Sequence, residues 1–431
     1  MSKKLSGEVF YFYLELLMKK LITILFFSFL SIPLLCLPFL QVGLKFEFEP
    51  PLLYEYYYMQ SDSGNGIFQF VYRINHGELS FLKDGERYTT KFRITLELQD
   101  SSTNNISRAN EDKTISVSEF NETVNKSRSV QGLLNVNLEK KKYFVSITLT
   151  DLLTNKEFSI PKISIDLSTR QSKNFVVSPG VNGKYYLANR RRTLPFSPMV
   201  YSYIYEPASL SSRSDSLCLK FQSPADSLSF CSDAAIDDAF LLEEDSLGIF
   251  MNSQKNSFSR SFLFKDISLK LPEGKFTFKE NENQQSSLEV KWWDKPHSLL
   301  NYEISLKALS IIESEPVIDS LKGSPDRFAY KYFLKYWQKY DPTPNSTYND
   351  LMAEFYFRTD YAQKTFANFT TPDGILTDRG KIYIQFGPPT SAERTTSVNG
   401  RNLEIWFYKE RNKKYYFRDG AGNGNYELVK E

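Results

Sequence analysis

Tyr88-Thr89-Thr90-Lys91-Phe92-Arg93-Ile94-Thr95-Leu96-Glu97-Leu98 decides the fold class of this chain. From Phe92 onward every second residue is apolar. Phe92, Ile94, Leu96 and Leu98 therefore share one face of an extended strand, and polar residues take the other. The same period recurs in Phe68-Gln69-Phe70-Val71-Tyr72-Arg73-Ile74, in Leu134-Asn135-Val136-Asn137-Leu138 and over residues 143–149. Turn clusters at Asn65-Gly66 and His76-Gly77 separate the runs, and no strong helical spacing interrupts residues 46–182. Short half-buried strands with regular turns imply a β-sandwich. An aromatic share of 15%, with 35 Phe and 27 Tyr, suits pleated, half-buried surfaces. At 431 residues the chain calls for two or three domains.

A second β-rich module is expected over residues 183–313, with strands near 199–205, 217–221 and 261–271. Leu134, Val136 and Leu138 followed by Lys142-Tyr143 match Ile267, Leu269 and Leu271 followed by Lys275-Phe276 at a constant offset, as two duplicated sandwiches would. Beyond Asp294 the period changes. Leu299, Tyr302, Leu306, Leu309 and Ile312 stand three or four residues apart, which is helical spacing. A second helix is expected over 326–338, ended by Asp341-Pro342-Thr343-Pro344, and a third over 348–369 with Thr347 and Asp350 as a weak cap signal. Strands are then expected at 381–386, 403–408, 414–418 and 426–429. The resulting plan is mainly β and multidomain: a leader at 1–44, two tandem immunoglobulin- or fibronectin-like sandwiches at 45–182 and 183–313, and an α+β domain at 314–431 with helices and a small antiparallel sheet.

The leader rests on residues 21–44, which carry no charge and follow Met18-Lys19-Lys20, the basic and apolar regions of an export signal. Met18 is a candidate start. Pro33 and Pro38 interrupt the apolar run, no A-x-A-like site follows, and Leu35 precedes Cys36 where a lipoprotein needs a small residue. Two outcomes stay open: cleavage after export, and retention as an N-terminal membrane anchor, since the run would span about 36 Å if helical. Both put the protein in the periplasm or cell envelope, or outside the cell. Cys218 and Cys231 flank a turn at Pro224-Ala225-Asp226, so they are either a hairpin disulfide or two buried thiols.

Charge is nearly balanced, with 53 Lys and Arg against 51 Asp and Glu, which argues against a nucleic-acid binder. The run Arg190-Arg191-Arg192 reads as a solvated loop. His76 and His297 are the only histidines and both read as turn or loop, so no histidine-based metal site, and no cofactor, is expected. No Gly-x-Ser-x-Gly elbow, Cys-His pair or His-Glu-x-x-His helix is present.

Residues 337–431 resemble the GWxTD domain. The motif stands as Gly374-Ile375-Leu376-Thr377-Asp378, with Ile375 in place of the tryptophan, and runs on through Arg379-Gly380 to Gly387-Pro388-Pro389. Trp337-x-x-x-Asp341-Pro342-Thr343-Pro344, Asn349-x-x-x-x-Glu354-x-Tyr356-x-Arg358, Glu404-x-Trp406-x-Tyr408 and Phe417-x-Asp419 complete the pattern. The resemblance implies an exported protein of Bacteroidetes-type bacteria with no defined activity. Thr377, Asp378, Arg379, Arg358, Trp406 and Tyr408 are the candidate binding residues. Structural use of Thr377-Asp378-Arg379-Gly380 as a turn is favoured, with Gly380 supplying a positive φ and Asp378 pairing with Arg379 or Arg358. Gly420-Ala421-Gly422-Asn423-Gly424 reads as a hairpin loop. The expected role is non-enzymatic: a binding or structural module for a protein or cell-surface polymer. The alternative is a glycan or peptide hydrolase using Asp378 and Glu354, which requires the two carboxylates to converge in an open cleft near Arg379.

Overall fold

A computed structural model describes residues 51–431, apart from 61–64, 126–127, 181–182, 209–214, 225–226, 256–258, 280–284, 324–325, 397–399 and 431. The leader with Met18 and Cys36, and the turn at Ala225-Asp226, lie outside the described residues. Among the described residues no helix is long and apolar enough to cross a membrane.

The described residues are mainly β, with five sheets and a helical layer. Sheet 1 contains the quoted run as strand Arg87–Asp100, flanked by Ile106–Val117 and Lys142–Asp151, with Leu82–Asp84 and Glu157–Asp166 completing it. Sheet 2 places Asn65–Asn75 between Leu52–Gln60 and Ser129–Glu139, all antiparallel. The two sheets face each other through Phe68, Phe70, Tyr72 and Ile74 on one side and Phe92, Ile94, Leu96 and Leu98 on the other. These are the residues that the alternation assigned to the core.

Sheet 2 is covered on both faces. Its other side, with Tyr57, Met59 and Val71, packs on Phe175, Val177, Ile204, Leu242 and Leu263 of the seven-stranded sheet 3. Sheet 3 in turn packs Tyr203, Tyr205, Phe262 and Phe264 against Leu219, Phe221, Phe276, Phe278 and Leu288 of sheet 4. Sheets 1 to 4 therefore form a continuous stack of four layers. Strand Lys173–Pro179, counted with the first module from the sequence, pairs with Ser202–Glu206 inside sheet 3. The repeat expectation is corrected too: Leu134–Leu138 lies in a strand, whereas Ile267–Leu269 is a 3-10 turn. The two matched segments are apolar for different reasons, one facing a sheet and one closing a loop.

Cys218 and Cys231 sit opposite each other on adjacent strands of sheet 4 and form a disulfide. His76 opens a 3-10 turn, with Nδ1 3.1 Å from the Glu122 carbonyl oxygen, and His297 opens another. Arg192 is not a solvated loop residue. Its amide donates to Glu55 at 2.8 Å, its guanidinium donates to the Tyr56 carbonyl, and its charge lies 4.8 Å from the Tyr57 ring. The run thus ties sheet 2 to the chain leaving sheet 3.

The helical layer comprises α1 (Tyr302–Leu309), α2 (Glu315–Lys322), α3 (Asp326–Gln338), α4 (Asp350–Phe366) and α5 (Asp378–Phe386). It joins the stack through Phe196, Trp292 and Tyr348, whose rings meet at 5.2–5.5 Å. The cap of α4 is Asn349, which accepts from the Met352 amide at 2.9 Å, and not Thr347. Sheet 5 is an antiparallel meander: Ser391–Thr396, Asn402–Tyr408, Lys413–Asp419 and Tyr426–Lys430. Residues 381–386, expected as a strand, are the body of α5.

Candidate functional site

Gly374-Ile375-Leu376 forms one 3-10 turn, and Thr377 caps the helix that follows it. The Thr377 hydroxyl accepts from the Gly380 amide at 3.0 Å and donates to the Gly374 carbonyl at 2.8 Å. One side chain thereby closes the turn and satisfies an otherwise orphaned amide of the helix start. Gly380 does not supply a positive φ. Its role is closeness, since a Cβ there would stand 2.0 Å from the Gly374 carbonyl oxygen. A Cβ on Gly374 would stand 2.4 Å from the Ala362 carbonyl oxygen of α4. Ile375, at the tryptophan position of the motif, is buried in the same core.

Asp378 begins α5, where the helix dipole favours a carboxylate. It pairs with neither Arg379 nor Arg358. Its carboxylate accepts from the Leu428 amide at 2.8 Å, with Lys381 at 3.9 Å, and so fastens the last strand of sheet 5 to the helix. Arg379 reaches into sheet 5 and meets Glu404 at 3.2 Å. The pair is nearly dry, with side chains 11% and 6% exposed. Burial pulls the Arg379 guanidinium below its usual pKa, while Glu404 opposes that shift. The guanidinium also covers the Tyr426 ring at 4.2 Å and donates to the Gly424 carbonyl.

Glu404 uses its second oxygen to accept from the Trp406 indole at 2.7 Å. The Trp406 ring packs on Phe366 and Phe417, so Trp406 lies against the helices as its alternation with Tyr408 suggests. Tyr408 donates to the Gly387 carbonyl at 2.8 Å, and burial pushes its phenol up. Gly387, at φ 77°, ends α5 rather than a strand. Asp419 folds the glycine-rich loop around itself, accepting from the amides of Gly422, Asn423 and Gly424 at 2.7–3.2 Å.

The remaining candidates are held by other pairs, and the Arg358 guanidinium lies beside Gly387 at the end of α5. Glu354 pairs with Arg358 one turn on along α4 at 2.7 Å, and Asp373 pairs with Lys307 at 2.6 Å. Asp378, Glu354 and Arg379 each have a different partner: the Leu428 amide, Arg358 and Glu404. Among the described residues no group of three metal-ligating side chains occurs. Sequence reading missed Glu404 as the partner of Arg379. Its two-residue spacing from Trp406 puts both on one face and was the available signal.

The helical layer also carries what the motif does not: an outward aromatic surface. Tyr332 and Tyr340 on and after α3, and Phe357 and Tyr361 on α4, are exposed. Between α2 and α3 lies a groove of about 640 Å³ lined by Val317, Leu321, Tyr332, Tyr336, Lys335 and Lys339. No residue of this groove was singled out from the sequence, because exposure is a tertiary property.

No curated protein matches the chain. A family model does: residues 274–431 match the GWxTD domain, beginning in sheet 4 and taking in α1 to α3 ahead of the motifs at 337–431. The buried ladder of Thr377, Arg379, Glu404 and Trp406 is what those motif positions build here, and the protein is a GWxTD domain-containing protein.

Proposed function

We propose that this is an exported, envelope-associated or secreted protein that binds a protein or cell-surface polymer and catalyses no reaction. In this reading the two sheet pairs are sandwiches of the immunoglobulin or fibronectin kind that hold the C-terminal domain in a fixed attitude. The observation that carries it is the groove between α2 and α3, which pairs apolar and tyrosine walls with Lys335 and Lys339 and has no carboxylate among the described residues of its lining. Such a surface suits an acidic, partly apolar segment of a partner, with tyrosine supplying contact area at low entropic cost. The motif residues support the reading by being spent on holding helix to sheet.

The test is capture from envelope extracts by the tagged chain, compared with Tyr332→Ser combined with Lys339→Glu. Both substitutions are on the surface, so unfolding is not expected. Partners retained by the unaltered chain and lost by the double variant are the expected result. An unchanged set of captured molecules, or none above a tag-only control, overturns the proposal.

A further inference from the structure

Lys331 and Lys335 on α3, and Lys339 just past its end, stand at intervals of four residues, and all three are exposed. Four residues of helix rise about 6 Å, so the lysines form a line about 12 Å long. Lys335 and Lys339 line the groove between α2 and α3, and Lys331 continues the line beyond it. None of the three ammonium groups has an ion-pair or hydrogen-bond partner among the described residues. Like charges at this spacing repel and weaken a helix, a penalty that an anionic partner removes.

Three described carboxylates belong to the same region. Glu313 accepts from the Tyr336 hydroxyl at 2.6 Å and so fixes one wall of the groove. Glu315 and Asp319 lie on α2, one turn apart, on the flank away from Val317 and Leu321, which face the groove. None of the three makes an ion pair with the lysine line. Beside the lysines, Tyr332 is 49% exposed and lines the groove with Tyr336. A tyrosine ring offers an apolar face and a hydroxyl together, which matches a sugar ring, with its C–H face and its rim of hydroxyls. An acidic peptide would satisfy the lysines and leave the exposed ring face without a flat partner. A charged bilayer would need a broad convex surface, whereas this line runs into a groove.

We propose, resting on the reading of the groove as a binding surface, that its partner is a linear acidic polysaccharide carrying a carboxylate on each sugar. The evenly spaced lysines meet evenly spaced carboxylates, and Tyr332 stacks on the sugar between them. Each contact is weak by itself, and the repeat of charge along the polymer adds them. Affinity therefore falls as salt rises, because bound polymer gives up its counterions to the lysines.

The experiment is titration calorimetry of the full chain with polygalacturonate, with dextran as the uncharged polysaccharide and polyglutamate as the acidic peptide. Saturable binding of polygalacturonate, none of dextran and weaker binding of polyglutamate are expected. Lys331→Gln, outside the groove lining, weakens binding by about threefold, and Tyr332→Ala weakens it by about tenfold without a charge change. Lys83→Gln, on an exposed strand of sheet 1, leaves it unaltered. Absence of polygalacturonate binding overturns the proposal, as do polyglutamate binding as tight, equal weakening by the two lysine variants, or full binding by Tyr332→Ala. Capture of a protein from envelope extracts by a chain that ignores polygalacturonate overturns this inference and leaves the binding reading standing.

Discussion

Gly374 and Gly380 show why a short motif can be demanding without being catalytic. Neither needs a conformation barred to other residues. Both are crossed by backbone: a Cβ at Gly380 meets the Gly374 carbonyl at 2.0 Å, and one at Gly374 meets Ala362 and Gln363 carbonyls at 2.4 and 2.7 Å. Backbone cannot swing aside as a flexible side chain can, so the helix start would have to lift off α4. Gly380→Ala and Gly374→Ala should each destabilise the chain by about 3 kcal/mol, at the upper end of overpacking costs. Gly400→Ala, with open space around it but φ 73°, should cost less, about 1 kcal/mol. Urea denaturation followed by tryptophan fluorescence measures all three; equal effects would contradict the steric account. At the same scale, Glu404 was legible as part of a pattern, but its bond to Arg379 spans 25 residues and depends on how sheet 5 docks.

The element most at odds with the sequence is α5. Ile382, Ile384 and Phe386 alternate, and Ile and Tyr favour strands, so period and propensity both read as β. The helix wins because it is enclosed on two sides, by α4 and by sheet 5, and needs apolar groups on both. Ile382 and Ile384 point in nearly opposite directions on a helix and both are buried. Its start is fixed by a single cap, so Thr377→Ala should cost about 1–2 kcal/mol and Thr377→Ser much less, because serine keeps the accepting oxygen. Thermal unfolding of the two variants decides this; similar losses would mean that the Thr377 methyl, not the cap, matters. The helix within 299–312 was legible from its apolar stripe, and those at 326–338 and 348–369 from the prolines and polar cap residues that separate them.

For the molecule as a whole, the fully buried Gln69 is the informative residue. It lies on the face of sheet 2 turned toward sheet 3, and its amide mimics a peptide group: it donates to the Leu242 carbonyl at 3.0 Å and accepts from the Leu242 amide at 2.9 Å. Asn189 adds a bond to the Tyr72 carbonyl at 2.9 Å, and Lys113 meets Glu244 at 2.7 Å. These contacts make sheets 1 to 4 one body rather than beads on a string. Gln69→Leu strands two buried backbone groups, at about 1–3 kcal/mol each. The chain should unfold in one cooperative step, and the variant should unfold at lower denaturant with the two sheet pairs separating into two transitions. A variant that matches the unaltered chain would mean that the seam is not what couples them.

The alternation of Phe68–Ile74 and Phe92–Leu98 determined by itself that the chain is β-rich and which side chains face the first core, because a strand's two faces are written at a spacing of two residues. The helical stripes and the motif order likewise fixed the α+β character of the C-terminal region, and the family match extends it. Tertiary structure alone decided that sheet 2 is covered twice, that Arg192 is a fastener and that Arg379 belongs to Glu404. Each of these depends on groups tens to more than a hundred residues apart, and their meeting is set by how whole layers pack, which no local period records.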